Sequence, residues 1–572
     1  MADNVHTHES GAITAMHPPQ EPARTEENGV DIEGSSDTVF NGHLEKQGTP
    51  NQTDEFVPNY LKGWRLHSIS ASLCLCLFLV NIEIPIVSTS LVGITNSLQG
   101  FDQSSWIVSA YLLTYIGFLI IWAKLSDIFG RKKSISIAIV IFIVFSGVCG
   151  ASQNIIELIV FRAFQGIGGA GIYAISFAIF FELVPQEKFA AYTGFVSIAF
   201  SLSLLVGPIL GGAINNSSTW KWAFIFNAPV AAVALCVLLV NIPRDFPYHG
   251  QPTHKRNKRR TYRESLERVD FLGFIFLLAA TILLVAPLEE AGIRYAWNTP
   301  FIIALLVLSG LFWIAFVIWS WKITETAGNC EPVFPWRFLQ SRIWIGMIIN
   351  AFFLGAPFTV AVFSIPQRFA VVNGLSPLQA GIRLIPFSFA SPVGSILASI
   401  IAGKAKLPPI YIVITASAMQ VIGFSLLATI STTSNVIRAQ YGYQVIAGLG
   451  VGANISTLIL LTPFSVEKRD QAVAVGCINQ FRLMGGAIGL AIVTSVLNSH
   501  VQSILPGFLS QSQIDMLLQR SGTITQFPPH VQEMVKLVFA QGYNNQMKVL
   551  IGFAAAQIPG SLIMWQKKQI IV

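Results

Sequence analysis

A lone carboxylate, Glu83, sits inside the apolar run LVNIEIPIV. Charge at membrane depth costs about 2.5 to 3.5 kcal/mol on insertion scales, so an acid kept there serves either proton uptake and release or a fixed ion pair. Arg162 opens a second stretch, RAFQGIGGAG (162–171), in which Gly166, Gly168 and Gly171 have the spacing of a dinucleotide-binding turn. That turn needs a strand before the first glycine and a helix opening after it. The flanks IIELIVF and IYAISFAIFF offer no such break, so nucleotide binding is refused by context. Glycines so spaced in one long apolar helix instead let a neighbouring helix approach closely. No G-x-x-x-x-G-K-[ST] stretch occurs, which excludes an ATP-driven pump. The six cysteines have no zinc-like spacing, and His, Asp and Cys do not cluster at depth. Neither a metal, a cofactor nor an enzymatic centre is expected, and structural disulfides are not expected either. Asn215 and Asn216 each begin an N-x-S triplet, read as glycosylation candidates in a short loop.

The elements that must hold these residues are membrane helices. Of 572 residues 53% are hydrophobic and 11% charged, against about 25% charged in an ordinary soluble domain. Apolar runs long enough to cross a bilayer, about 20 residues each, recur after residue 65. They predict spans at about 66–91, 104–123, 134–152, 155–181, 190–214, 221–241, 269–290, 299–320, 343–368, 377–402, 408–430, 436–463, 470–498 and 546–565, fourteen in all. Residues 1–61 form an acidic tail, with 11 acids against 2 bases over the first 60 residues of a chain whose net charge is +7. Few of its residues are large and apolar, so it is expected to be disordered.

Lys and Arg in short loops set orientation. Lys124, Arg131, Lys132 and Lys133 follow span 2, HKRNKRR (254–260) follows span 6, Lys404 and Lys406 follow span 10, and Lys468 and Arg469 follow span 12. With fourteen spans these loops share one side, so both termini are expected in the cytoplasm. Between two spans, HKRNKRR is suited to anionic lipid rather than to nucleic acid.

The chain also repeats itself. RAFQGIGGAG lines up with QVIAGLGVGA (444–453), setting Gly166 over Gly448 and Gly168 over Gly450. LLVGPILGGAI (204–214) lines up with FRLMGGAIGLA, setting Gly207 over Gly485 and Gly211 over Gly489. AKLSD (123–127) lies over GKAKL (403–407) at a similar offset. An offset of an even number of spans means parallel repeats, an architecture of secondary transporters. The expected organisation is a six-helix bundle over 62–241, a basic loop over 242–268, two inserted helices over 269–320, and a second six-helix bundle over 321–572 that includes an outer loop at 499–545.

These stretches resemble motifs of the major facilitator superfamily. AKLSDIFGRKK (123–133) is similar to the family's signature after span 2, with Asp127, Gly130 and Arg131 in place and Ala123 where glycine is usual. RAFQGIGGAG resembles the span-4 motif with its buried arginine. LLVGPILGGAI, with Gly207, Pro208, Gly211 and Gly212, resembles the span-5 motif associated with antiporters. WKWAFIFNAP (220–229), FRLMGGAIG (481–489) and the fourteen-span layout resemble the drug:proton antiporter branch, and GIRLIPFSFASP (381–392) with the long tail looks most like fungal efflux pumps. The resemblance implies a charge network of Asp127 and Arg131 with Glu182 that latches one conformation.

Span 1 runs outward and span 4 inward, and Glu83 and Arg162 each lie seven or eight residues from the outer end, at a shared depth of about 10 to 12 Å. They are expected to pair, either as a proton-coupling unit or as a structural ion pair. Gln444 occupies the place of Arg162 in the second half, so coupling is expected in the first. Arg383 and Arg482 are the other basic residues at depth and either sense substrate or satisfy backbone carbonyls. Phe352 and Phe353 either line a substrate cavity or pack against lipid. Gly207, Pro208, Gly211 and Gly212 are expected to permit a kink and close approach of a second-half helix.

The resulting expectation is a monomeric proton-coupled efflux transporter for hydrophobic small molecules such as toxins, secondary metabolites or drugs, in the plasma membrane. An importer or vacuolar exchanger of basic amino acids or iron chelates would share the fold, and so would a non-transporting sensor. Its partners are the substrate, protons and the bilayer, with no nucleic acid.

Overall fold

The computed structural model describes residues 60–98, 103–217, 219–247, 262–291, 295–326, 329–433, 435–519, 524 and 526–572. Residues 1–59 and the HKRNKRR stretch lie outside the described residues. Lipid offers no partner for a free backbone N–H or C=O, so each apolar run closes its hydrogen bonds within a helix. Among the described residues the fourteen long helices are α1 (Trp64–Leu98), α2 (Ser104–Phe129), α3 (Arg131–Ala151), α4 (Ile155–Leu183), α5 (Phe189–Ser217), α6 (Asn227–Asn241), α7 (Phe271–Glu290), α8 (Pro300–Glu325), α9 (Arg342–Val371), α10 (Ile385–Gly403), α11 (Pro409–Ala428), α12 (Ala439–Ser465), α13 (Gln471–Ile504) and α14 (Pro529–Ile563). Among the described residues, extended pairing is limited to two isolated bridges, Val269 with Glu331 and Ala291 with Tyr295.

Local chemistry fixes several ends. α4 starts at Asn154, whose side chain accepts from Glu157 N at 2.8 Å while Glu157 accepts back from Gln153 N at 3.0 Å. α2 and α3 meet at Gly130, whose φ of +94° lies in the left-handed region that a side chain disfavours. The tenth span is broken: a short turn, Pro377–Ile382, precedes α10, with Arg383 and Leu384 between them and Pro386 in the first turn of α10. The sixth is interrupted at Phe226, after the short helix Trp222–Ile225.

The repeat seen in sequence is a repeat of packing. A Cβ on Gly166 would run into the Tyr111 carbonyl and Thr114 of α2, and one on Gly448 into the Phe387 carbonyl and Ala390 of α10. Gly168 faces Ala138 and Phe142 of α3, with a Cβ 2.6 Å from Phe142 N, and Gly450 faces Ala416 and Gln420 of α11, 2.6 Å from Ala416 O. Gly207 and Gly211 lie on α1 just as Gly485 and Gly489 lie on α9. Each half thus seats its fourth helix on its second and third, and its fifth on its first. The halves meet chiefly through α5 with α10 and α2 with α13.

Three expectations change. Gly207 and Gly211 approach Pro85, Ile86 and Thr89 of α1, within their own half, and only Pro208 of that group faces the second half, near Gly381. Residues 499–545 are not an outer loop: α13 continues to Ile504, a helix covers Gln511–Gln519, and α14 begins at Pro529. Val501, Leu505, Ile514, Leu517 and Phe539 give this cap its own apolar core. Asn215 and Asn216 belong to the last helical turn of α5 rather than to a loop.

Thirteen helices are long and apolar enough to span a membrane among the described residues. The predicted fourteenth span is part of α14, which packs on α9, α11 and α13. Its low apolarity has a structural cause, because Gln546, Gln557 and Ser561 are buried inside the bundle. Gln557 Oε1 accepts from Asn454 Nδ2 at 2.6 Å and Gln420 Nε2 at 3.2 Å, and Ser561 donates to Asn350 at 3.2 Å.

Candidate functional site

Helices α1, α3, α4 and α6 converge on Glu83. Both Glu83 and Arg162 have no exposed surface. Arg162 Nη1 donates to Glu83 Oε2 at 2.6 Å and to Gln165 Oε1 at 2.7 Å, and its Nε donates to the Ile107 carbonyl at 3.0 Å. The other carboxylate oxygen, Oε1, accepts from Gln165 Nε2 at 2.8 Å and from Asn227 Nδ2 at 2.5 Å. Gln165 also donates to Ser146 at 2.8 Å. The guanidinium lies 4.3 Å from the Tyr111 ring centroid, a cation–π contact. A desolvated ion pair survives only when its remaining lone pairs and protons are satisfied, and here neutral amides from α4 and α6 do most of that. The expected pairing of Glu83 with Arg162 is present; Gln165, Asn227 and Ser146 were not singled out in sequence. Their signal was there, since an amide inside an apolar span is itself costly.

At one end of the bundle lies a cluster of charges. Arg131 donates to Glu182 through Nε at 3.0 Å and Nη2 at 2.7 Å, to Asp127 Oδ1 through Nη2 at 2.5 Å, and to Ser126 through Nη1 at 2.5 Å. The turn at Gly130 brings the last turn of α2 and the first of α3 together, and Glu182 arrives from the end of α4. A neighbouring knot went unseen in sequence. Lys124 at the end of α2 donates to Glu331 Oε2 at 2.7 Å, while Arg268, just before α7, pairs with Glu331 Oε1. Glu331 N also bonds the Arg268 carbonyl at 3.0 Å. The first half, the inserted helices and the segment leading to the second half are thereby tied together. Burial pushes the Glu331 carboxyl up, but Lys124 and Arg268 outweigh it and hold it below its ordinary value.

The five residues read as cavity candidates separate in space. Arg482 of α13 contacts both halves, with Nη2 donating to Asn479 Oδ1 at 3.2 Å and to Tyr173 Oη of α4 at 3.4 Å. Arg383 bonds Tyr441 Oη and lies over the Phe369 ring, inside the second half. Gln444 is fully buried, and lines a pocket within that half together with Arg368, Phe369, Gln440 and Tyr543. Phe353 packs on Phe553 of α14, and Phe352 stacks edge-on against Phe353. Only Arg482 of the five sits where the two halves meet, because Phe352 and Phe353 on α9, Arg383 in the break before α10 and Gln444 on α12 have their partners within the second bundle.

Two six-helix halves related by a parallel repeat, with their charges gathered inside and at one end, define an integral membrane protein of the transporter type. The chain belongs to the Major Facilitator Superfamily, whose family model matches residues 72–328. It is 40% identical to the MFS-type transporter FPY5 of Fusarium mangiferae over 510 residues, covering 89% of this chain and 85% of that protein. It is 29% identical to the MFS-type efflux pump MFS1 of Arthroderma benhamiae, covering 88% of this chain and 92% of that one. In fold it matches a bacterial homologue of the human lysosomal transporter Spinster, with a TM-score of 0.54 at 15% identity, over 89% of this chain and 100% of that chain.

Proposed function

We propose that the protein is a proton-coupled exporter of hydrophobic small molecules such as toxins, secondary metabolites or drugs. The observation that carries this reading is the hydrogen-bond pattern at Glu83. All three side-chain groups on its two oxygens are donors: Arg162 on one, Gln165 and Asn227 on the other. A proton added to either oxygen would face a donor, so protonation has to displace a partner held on α4 or α6. Proton occupancy is thereby linked to helix arrangement, and differential binding to two arrangements is what couples two fluxes. The driving force is about 2.3 kcal/mol per charge per 100 mV, plus the pH gradient. Asp127, Gly130, Arg131 and Glu182 act as a gate at the end they occupy, and Gly207 and Gly211 let α1, which carries Glu83, move as one body with α5.

Export is supported by the efflux-pump name of the Arthroderma relative. The basic loops support an orientation with both termini in the cytoplasm; the protein acts as a monomer in the plasma membrane. Inside-out vesicles carrying the protein and a panel of lipophilic fluorescent compounds test this. Wild-type vesicles accumulate one or more compounds when a pH gradient is imposed. Glu83→Gln vesicles still equilibrate them but do not concentrate them. Uphill accumulation by Glu83→Gln equal to wild type would sink the assignment.

A further inference from the structure

Arg482 differs from Arg162 in what surrounds it. It is 8% exposed, and among the described residues no carboxylate forms an ion pair with it. Its hydrogen bonds go to neutral oxygens, Asn479 Oδ1 and Tyr173 Oη, and both come from Nη2. Its Nε is buried without any partner. Tyr173 donates to the same Asn479 oxygen at 2.8 Å, so that acceptor is shared. A buried cation left in this state is costly unless an anion completes it, and a guanidinium offers a planar fork shaped for a carboxylate.

The backbone beneath Arg482 is held fast. A Cβ on Gly355 of α9 would collide with the Arg482 carbonyl, so α9 and α13 are in direct backbone contact there. Around the guanidinium stand flat apolar faces. The Phe358 centroid is 5.9 Å away, and Tyr173 is stacked on Phe200 of α5 at 5.7 Å with planes 13° apart. Tyr115 of α2 meets Tyr173 edge-on at 5.9 Å. Tyr173 of α4 from the first half and Phe358 of α9 and Asn479 of α13 from the second therefore flank one cation, with Tyr115 of α2 and Phe200 of α5 backing the Tyr173 ring.

We propose that Arg482, with Tyr173 and Asn479, is an anion-recognition point between the two halves, and that the protein binds planar aromatic compounds carrying an acidic group. This deepens the reading of the protein as a small-molecule exporter and rests on it. The aromatic body stacks against the ring walls while its carboxylate takes up the free Nε–H and the remaining guanidinium edge. Since the anion touches both halves, its arrival and departure change what holds α13 to α4.

The test is equilibrium binding to the purified full-length protein, with no proton gradient, using 2-naphthoate and its neutral isostere 2-naphthamide as probes. Wild type should bind 2-naphthoate at least about tenfold more tightly, as a charge-assisted hydrogen bond implies. Arg482→Gln should lose that preference while its 2-naphthamide affinity stays within about twofold. Arg482→Lys should recover part of it. If Arg482→Gln fails to fold, the wild-type ratio alone decides. A wild-type protein that binds both probes equally, prefers the amide or binds neither overturns the proposal, as does an Arg482→Gln variant that keeps the preference. Because no gradient is present, these results are independent of Glu83: anion preference with failed proton-driven export would defeat the coupling reading and leave this one standing.

Discussion

Removing the charge from Glu83 and from Arg162, singly and together, separates a coupled buried pair from two independent polar contacts. In Glu83→Gln the guanidinium keeps Gln165 Oε1, the Ile107 carbonyl and the Tyr111 and Phe224 faces, but no anion. The new amide must also turn its NH2 group either to Arg162 Nη1 or to the donors of Gln165 and Asn227, so every orientation sets donor against donor. Breaking a fully buried pair from one side costs about 3 to 5 kcal/mol, and no solvent screening reduces it here. Arg162→Gln leaves the carboxylate with two amide donors and a similar loss. The double variant carries no buried charge, and replacing both partners is often close to neutral, so it should lie within about 2 kcal/mol of wild type. The expected coupling is about 4 kcal/mol or more. Unfolding free energies of the purified protein in mixed micelles, followed by tryptophan fluorescence, measure all four corners. A double variant as unstable as the sum of the singles would refute the pairing logic, and with it the idea that proton occupancy of Glu83 is felt by α4.

Other perturbations follow from the same contacts. Gly168→Leu sets a side chain against the Phe142 and Ala138 backbone, 2.6 and 2.9 Å from where its Cβ must lie, and should abolish recovery of folded protein; Gly212→Ala, which meets nothing within 4 Å, should be neutral or stabilise by up to about 1 kcal/mol, read from thermal unfolding in detergent. Gln557→Leu strips the acceptor from Gln420 and Asn454, and should cost about 2 to 4 kcal/mol by the penalty for orphaned buried donors, measured by the same unfolding titration. Lys124→Glu should loosen the knot at Glu331, and adding Glu331→Lys should restore stability only in part, because Arg268 then faces a cation. The pH dependence of that knot has a definite sign. Glu331 is held below its ordinary value, so its contribution is present above the usual carboxylate range and disappears only as pH falls through the lower, folded value. The stability difference between wild type and Glu331→Gln should therefore be constant from about pH 8 to pH 5.5 and shrink below about pH 4.5, and a difference that vanishes near pH 6 would contradict the assignment.

What the amino-acid order determined by itself was depth and repetition. Apolar run length set thirteen of the spans because a helix in lipid must satisfy its own backbone, a local requirement that leaves a local signature. The glycine pairs 166 with 448 and 207 with 485 could be matched from sequence because close helix contact admits almost no other residue. Glu83 and Arg162 stood out because charge at depth is rare and costly, and equal depth on spans 1 and 4 was enough to pair them.

Azimuth, the direction each side chain faces around its helix, was decided only by tertiary packing. Depth did not say that Asn227 would reach Glu83, that Gly207 would turn toward α1 instead of the second half, or that Arg383 and Gln444 would turn inward while Arg482 stayed at the junction of the halves. Nor did it show that the polar residues of α14 face Gln420 and Asn454, since a hydropathy average cannot distinguish a helix that is polar toward water from one that is polar toward the bundle. The knot of Lys124, Arg268 and Glu331 joins residues from three separate segments, and no spacing along the chain encodes it. Side-chain facing depends on which helix packs beside which, and that is settled by the whole bundle closing at once.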